Sequence, residues 1–253
     1  MSSHGFTRCF ARRALTSGIV CVLIPLCCTG VSFAQQGVDL DLNFLTGIPS
    51  GAFGDNVNNT VLGGSVFLGY HPAEKPIVIG ADLEFFRYGK ERRTELLSPD
   101  IPDLPVEVTN RNEMILAHLL IRIQPNLGEI APYFDSMIGF NYLYTRTSLR
   151  GDRRYNDVIS TTNFSDWALS YGLGGGIKIK VLENISLKAG KEDYVSLFVD
   201  LGMRYLFGSE AEYLKEGSIQ RVSGDVYYNS NKSRTDLLQF KIGVSLMFRF
   251  SSL

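Results

Sequence analysis

Residues 238–250 constrain the fold more than any other stretch. Leu238, Phe240, Ile242, Val244, Leu246, Phe248 and Phe250 are apolar, and Gln239, Lys241, Gly243, Ser245, Met247 and Arg249 alternate with them. Successive strand side chains point to opposite faces, so one face here is bulky and apolar and the other mostly polar or small. Thirteen residues of alternation is long beside the usual strand of about 5–6 residues. It suits a tilted strand crossing a bilayer, which needs roughly 9–11 residues. The stretch is expected to close a transmembrane β-barrel.

Seven more segments carry the same pattern. Residues 38–44 alternate Val38, Leu40, Leu42, Phe44 with Asp39, Asp41, Asn43. Strand two is expected over 61–70 and strand three from Pro76 to about Phe85. Strand four covers about 107–123, strand five about 131–147, strand six 166–180 and strand seven 195–207. Long turn-rich connections are expected at 47–60, 89–105, 148–164 and 208–236, and short turns at 71–75, 125–129 and 182–184. In the last long loop Ser209-x-x-Glu212 looks like a capping box for a short helix ending before Gly217. A bulge is expected at 191–193, because Lys191 and Asp193 on a lipid face would be costly. The alternation of long and short connections predicts an all-β, eight-stranded antiparallel up-and-down transmembrane barrel, with short periplasmic turns and long extracellular loops.

Residues 1–34 read as a removable signal peptide: Arg8, Arg12 and Arg13 precede an apolar run, and Ser32-Phe33-Ala34 offers a cleavage site. Residues 35–253 then form the barrel domain. All four cysteines (Cys9, Cys21, Cys27, Cys28) fall in the leader, so neither disulfides nor thiolate chemistry is expected beyond it. Without the leader's three arginines, 22 Lys and Arg stand against 26 Asp and Glu, a formal net charge of −4. That is no nucleic-acid footprint.

A water-soluble barrel also alternates, but with its apolar side inward. Here the polar face is dense in glycine (Gly63, Gly69, Gly80, Gly139, Gly172, Gly174, Gly176, Gly202, Gly243), which suits a crowded interior. The large rings of the other face would not all fit inside eight strands. Aromatic residues also gather towards the two strand ends, as at membrane interfaces.

The same parity selects the lumen. Acidic candidates are Asp39, Asp41, Asp82, Glu84, Asp135, Asp166 and Asp200, and basic candidates are Arg122, Lys178, Lys180, Arg204, Lys241 and Arg249. Buried charges need partners, so an ion-pair network plugging the barrel is expected, against a narrow ion path as the functional alternative. His71 and His118 are the only histidines beyond the leader. Neither sits at the outer-leaflet level where a lipid-modifying enzyme would need it, and no metal-ligand cluster or cofactor motif is present. Arg146, Arg150, Arg153 and Arg154 cluster about the third external loop and could grip the phosphates of lipopolysaccharide.

The chain resembles the eight-stranded outer-membrane barrels of the OmpA/OmpX-like superfamily over about residues 37–253. Residues 48–55 (IPSGAFGD) and 171–176 (YGLGGG) carry the resemblance. In the last strand Lys241, Gly243, Leu246 and Phe248 resemble the signal read by the barrel assembly machinery; family members often end on the aromatic residue, whereas Ser251-Ser252-Leu253 follow Phe250. The resemblance implies a bacterial outer-membrane location, contact with membrane lipid and lipopolysaccharide, and a monomer. It does not select among structural, surface-binding, small-pore and enzymatic roles. The expectation is a structural or surface-binding role, with a small-solute channel and then a lipid-modifying enzyme as alternatives.

Overall fold

The computed structural model describes residues 36–250, except 73–74, 99–100, 125–127, 151–157, 187–193 and 223–224. Eight strands form the barrel: β1 (Gln36–Pro49), β2 (Val61–His71), β3 (Ile77–Ser98), β4 (Ile101–Ile123), β5 (Ile130–Arg150), β6 (Val158–Ser186), β7 (Tyr194–Gly208) and β12 (Leu237–Phe250). Between β7 and β12 lie four short strands, β8 (Glu210–Tyr213), β9 (Ile219–Val222), β10 (Asp225–Tyr228) and β11 (Asn231–Arg234). One helix, α1 (Gly51–Val57), follows β1.

Neighbouring strands pair antiparallel in chain order, and β12 closes the ring against β1 from Gln36↔Phe250 to Pro49↔Leu237. Full closure leaves no open edge, which a bilayer requires because it offers backbone groups no water. The alternation sets the facing. Asp39, Asp41 and Leu45 are buried inside β1, whereas Leu42 and Phe44 are each 53% exposed on its outer side. Outward residues around the ring include Leu68, Leu83, Leu119, Ile138, Leu169 and Ile242, all more than half exposed. So large a continuous apolar belt is not found on soluble monomers. It is the lipid-facing surface of a transmembrane barrel.

Close strand approach explains much of the glycine. A Cβ at Gly139 would run into the Ala117 carbonyl of the neighbouring strand. Small residues there let the ring stay narrow enough for side chains to fill it.

Several expectations need correction. Much of the polar stretches 89–105 and 148–164 is paired strand: β3 and β4 reach 22 and 23 residues, β5 21 and β6 29. Such lengths carry the hairpins well beyond a bilayer. There both faces can be polar, so pairing continues without alternation. The turn expected at 182–184 lies inside β6, marked by register shifts between Lys180 and Leu182 and between Leu182 and Ile185. The bulge at 191–193 falls outside the described residues. The Ser209–Glu212 capping pattern does not make a helix. Those residues lead into β8, which pairs with β11 and buries Ala211 and Tyr213. Burial on a strand face outweighs the weak local cap, and the Glu212 amide donates to Asp166 instead.

Helix α1 forms inside the expected 47–60 loop. Phe53 and Val57, one turn apart, are its buried residues, and Asn58 ends it in the left-handed conformation (φ 47°). Phe53 meets Tyr88 and Tyr213 edge to face at 5.9 and 5.1 Å between ring centroids. The Asn56 amide donates to the Tyr213 hydroxyl at 3.0 Å. Helix α1 and the β8–β11 hairpin thereby cap the loop-side mouth over an apolar layer that includes Leu45, Phe86, Met114 and Leu143. Below this layer the charged residues begin, with Phe67, Val78 and Leu120 set among them.

Candidate functional site in the barrel interior

Six carboxylates (Asp39, Asp41, Asp82, Glu84, Asp135, Asp200) and four cations (Arg122, Lys178, Arg204, Lys241) sit in the lumen, each no more than 5% exposed. They come from β1, β3, β4, β5, β6, β7 and β12, so the network ties most of the ring together. Residues two apart share a strand face, which is why Asp39 and Asp41 both point in, as do Asp82 and Glu84.

Two arginines organise the set. Arg122 bonds Asp135 at 2.7 Å and Asp41 at 3.0 Å, and its guanidinium lies over the Phe67 and Tyr133 rings at 4.7 and 4.2 Å. Arg204 bonds Asp82, Glu84 at 3.1 Å and Asp135 at 3.2 Å. Asp135 therefore bridges the two guanidiniums. Lys178 donates to Asp41 at 3.0 Å and to the Ser245 hydroxyl at 2.8 Å, and it stands 3.7 Å from Asp39. Lys241 pairs with Asp200 at 2.9 Å, and Asp200 also accepts from the Tyr133 hydroxyl at 2.7 Å. Gln239 donates to Glu84 at 2.6 Å. Charge-assisted bonds of this kind are the strong class, and losing one partner in such a setting leaves a costly buried charge.

Among the described residues, three of those expected in this network make no hydrogen bond or ion pair with its members. Asp166 lies on the loop side, where it accepts from the backbone amides of Trp167 and Glu212. Lys180 pairs locally with Glu183 at 2.8 Å on the turn side. Arg249, also on the turn side, donates to the Met247 sulfur at 2.6 Å. Inward parity alone cannot tell depth along the barrel axis, and these three lie towards its ends. Parity did contain the signal for Tyr133, Gln239 and Ser245, which face inward beside the charges; attention to charge alone passes over them.

His118 shares a 3.0 Å hydrogen bond with Ser170, both buried in the lumen. The other ring nitrogen, Nδ1, has no hydrogen-bond partner. A serine nucleophile needs its base oriented by a third group, and among the described residues none bonds this ring. His71 is buried at the end of β2. Among the described residues no group of three His, Cys, Asp or Glu side chains could hold a metal ion.

On β12 the assembly-signal residues divide by face. Lys241 points into the lumen, Gly243 lies against Asn43 of β1, Phe250 is exposed, and Leu246 and Phe248 are half-buried. Of the loop arginines, Arg146 is exposed on β5 with its guanidinium 5.7 Å from the Tyr144 ring. Arg150 ends β5 with its side chain outside the described residues, as are Arg153 and Arg154 entirely. Aromatic side chains on the outer surface contact one another towards the loop side, including Tyr142 with Trp167 (4.4 Å) and Tyr171 with Phe207 (5.4 Å).

No family model and no curated protein matches the sequence. Among solved structures the chain is similar to Neisserial surface protein A, at 11% identity over 85% of this chain and 97% of that one, with a TM-score of 0.34. It is similar at 11% identity to Ail, the attachment invasion locus protein of Yersinia pestis in complex with the heparin analogue sucrose octasulfate, covering 85% and 99% with a TM-score of 0.33. A major outer membrane protein from Thermus thermophilus is similar at 13% identity, covering 84% and 98% with a TM-score of 0.36. On its own strand order, register and outward apolar belt, the chain is an eight-stranded antiparallel up-and-down transmembrane β-barrel.

Proposed function

We propose that this protein is an integral outer-membrane barrel with a plugged lumen, serving the envelope structurally and through its surface loops. The observation that carries the reading is the double obstruction of the interior. Arg122 and Arg204 span the lumen through shared contacts with Asp135, and an apolar layer under α1 and β8 lies above them. A permeating ion would have to displace charge-assisted bonds in a water-poor interior and then cross the apolar layer. Eight strands leave an interior just wide enough for side chains, so little room remains beside the network.

The short turns then face the periplasm and the long hairpins face outward, the orientation usual for such barrels. Outer-membrane fractionation with heat-modifiable gel mobility tests the placement. The folded barrel should stay in the outer-membrane fraction and migrate faster before boiling than after. Swelling of proteoliposomes in small sugars tests closure. Swelling at the rate of protein-free vesicles supports the reading, and swelling at a porin-like rate refutes it.

A further inference from the structure

The loop-side ends of β3, β4, β5 and β6, together with the β9–β10 hairpin, enclose a groove of about 300 Å³. It is distinct from the ion-pair network: Asn110, on its wall, lies twelve residues along β4 from Arg122, or roughly 41 Å at about 3.4 Å per residue. Its polar lining is a relay across three strands. The Asn163 amide donates to the Thr147 hydroxyl, and that hydroxyl donates to Asn110 Oδ1 at 2.7 Å. The relay orients the Asn110 amide, because the Thr147 oxygen already accepts from Asn163 and its proton is left for Oδ1. Asn110 Nδ2 then has no partner among the described residues, although the residue is only 4% exposed. Buried N–H groups are usually paired, directly or through water, so a bound molecule whose oxygen reaches this one gains its hydrogen bond.

Arg93 supplies the groove's cation. It is committed within the protein, donating to the Ile219 carbonyl at 2.8 Å and lying 3.9 Å from Glu91. The lining thus offers amides and a hydroxyl rather than free charge. Val226 and the Tyr228 ring, both about half exposed, provide an apolar wall. A ligand suited to this combination carries neutral hydroxyl oxygens on one side and C–H groups on the other.

We propose that this groove binds a neutral saccharide, with Asn110 Nδ2 donating to a sugar oxygen and Tyr228 packing on the sugar's C–H face. The proposal deepens the surface-binding part of the function above, and rests on that reading only for which side of the membrane the groove faces. The sugar could belong to the cell's own lipopolysaccharide or to glycans from outside, and the two sources present the same chemistry.

The test uses purified full-length barrel in detergent, applied to an array of neutral oligosaccharides. A second arm carries the lipid-free saccharide of the cell's own lipopolysaccharide, and a third carries sulfated glycans and short peptides. The expected result is retention on one or more members of either neutral arm. Asn110→Ala and Tyr228→Ala should each weaken it on the order of tenfold, the loss of about one good contact, with heat-modifiable mobility unchanged. Asn110→Asp, which keeps the size and removes the N–H, should weaken it as much. Retention by the lipopolysaccharide arm alone would identify a ligand on the same cell. The proposal is overturned if no neutral saccharide is retained, if only sulfated glycans or peptides are retained, or if the folded Asn110 variants bind as well as the wild type. Detergent binding does not depend on membrane placement or conductance, so its failure leaves the plugged-barrel reading standing, and the converse also holds.

Discussion

Arg204→Met tests how the interior charges support one another. Arg204 is 1% exposed and contacts Asp82, Glu84 and Asp135. Methionine fills part of the same space without charge. The three carboxylates then fare differently. Asp135 retains both of its bonds to Arg122, and Glu84 retains the Gln239 amide at 2.6 Å. Asp82 has no other ion pair among the described residues, and its Oδ1 already lacks a hydrogen-bond partner. The substitution therefore strands Asp82 outright, while Glu84 loses its only ion pair among the described residues and keeps just the neutral Gln239 amide. Breaking a buried pair on one side costs about 3–5 kcal/mol. Adding Asp82→Asn removes that stranded charge and should restore about 0.5–3 kcal/mol, the usual range for residues in direct contact. Urea titration in phospholipid vesicles measures both. The lone tryptophan, Trp167, is 58% exposed on the outer face, so its fluorescence reports transfer between lipid and water. A loss below about 1 kcal/mol for Arg204→Met, or no recovery with Asp82→Asn, would refute the claim that the lumen charges are mutually dependent.

Three other substitutions probe separate layers. Phe53→Ala should loosen the cap against Tyr88 and Tyr213 at a cost of about 3–5 kcal/mol to that layer. Hydrogen exchange should rise in α1 and β8 while heat-modifiable mobility is kept. Ile138→Arg places a charge on the outer face, where Ile138 is 66% exposed; a loss of about 2–4 kcal/mol in the same urea assay is expected if this position lies near the bilayer midplane. For the loop arginines, the combined variant Arg150→Ala, Arg153→Ala, Arg154→Ala should co-purify with less lipopolysaccharide, and an unchanged amount by lipid mass spectrometry would end that proposal.

The sequence is most legible where one physical constraint acts on every residue. On β1 and β12 lipid lies on one side and a crowded lumen on the other, so Leu40, Leu42 and Phe44 against Asp39, Asp41 and Asn43 specify both strand and facing. Legibility fades where the constraint does. In the upper parts of β3 to β6 neither face meets lipid, and paired strand such as Arg92↔Thr109 carries no apolar alternation. The cap was hidden for a different reason. Phe53 and Val57 make one helical turn amid glycine and asparagine, and Tyr213 sits in a segment whose local signals favour a helix; only packing against each other decides both. In the lumen, parity finds the face of Asp166, Lys180 and Arg249 and is silent on their height. The Asn110–Thr147–Asn163 relay involves residues 53 positions apart at its extremes, and no local pattern marks it.

In the proposed function Arg122 and Arg204, locked to their carboxylates beneath an apolar cap, close the lumen. Planar-bilayer recording of the purified wild-type barrel tests it most directly. A closed lumen predicts no steady conductance of general-porin size at any applied potential the membrane withstands. Large, long-lived open channels in the wild-type protein would contradict it.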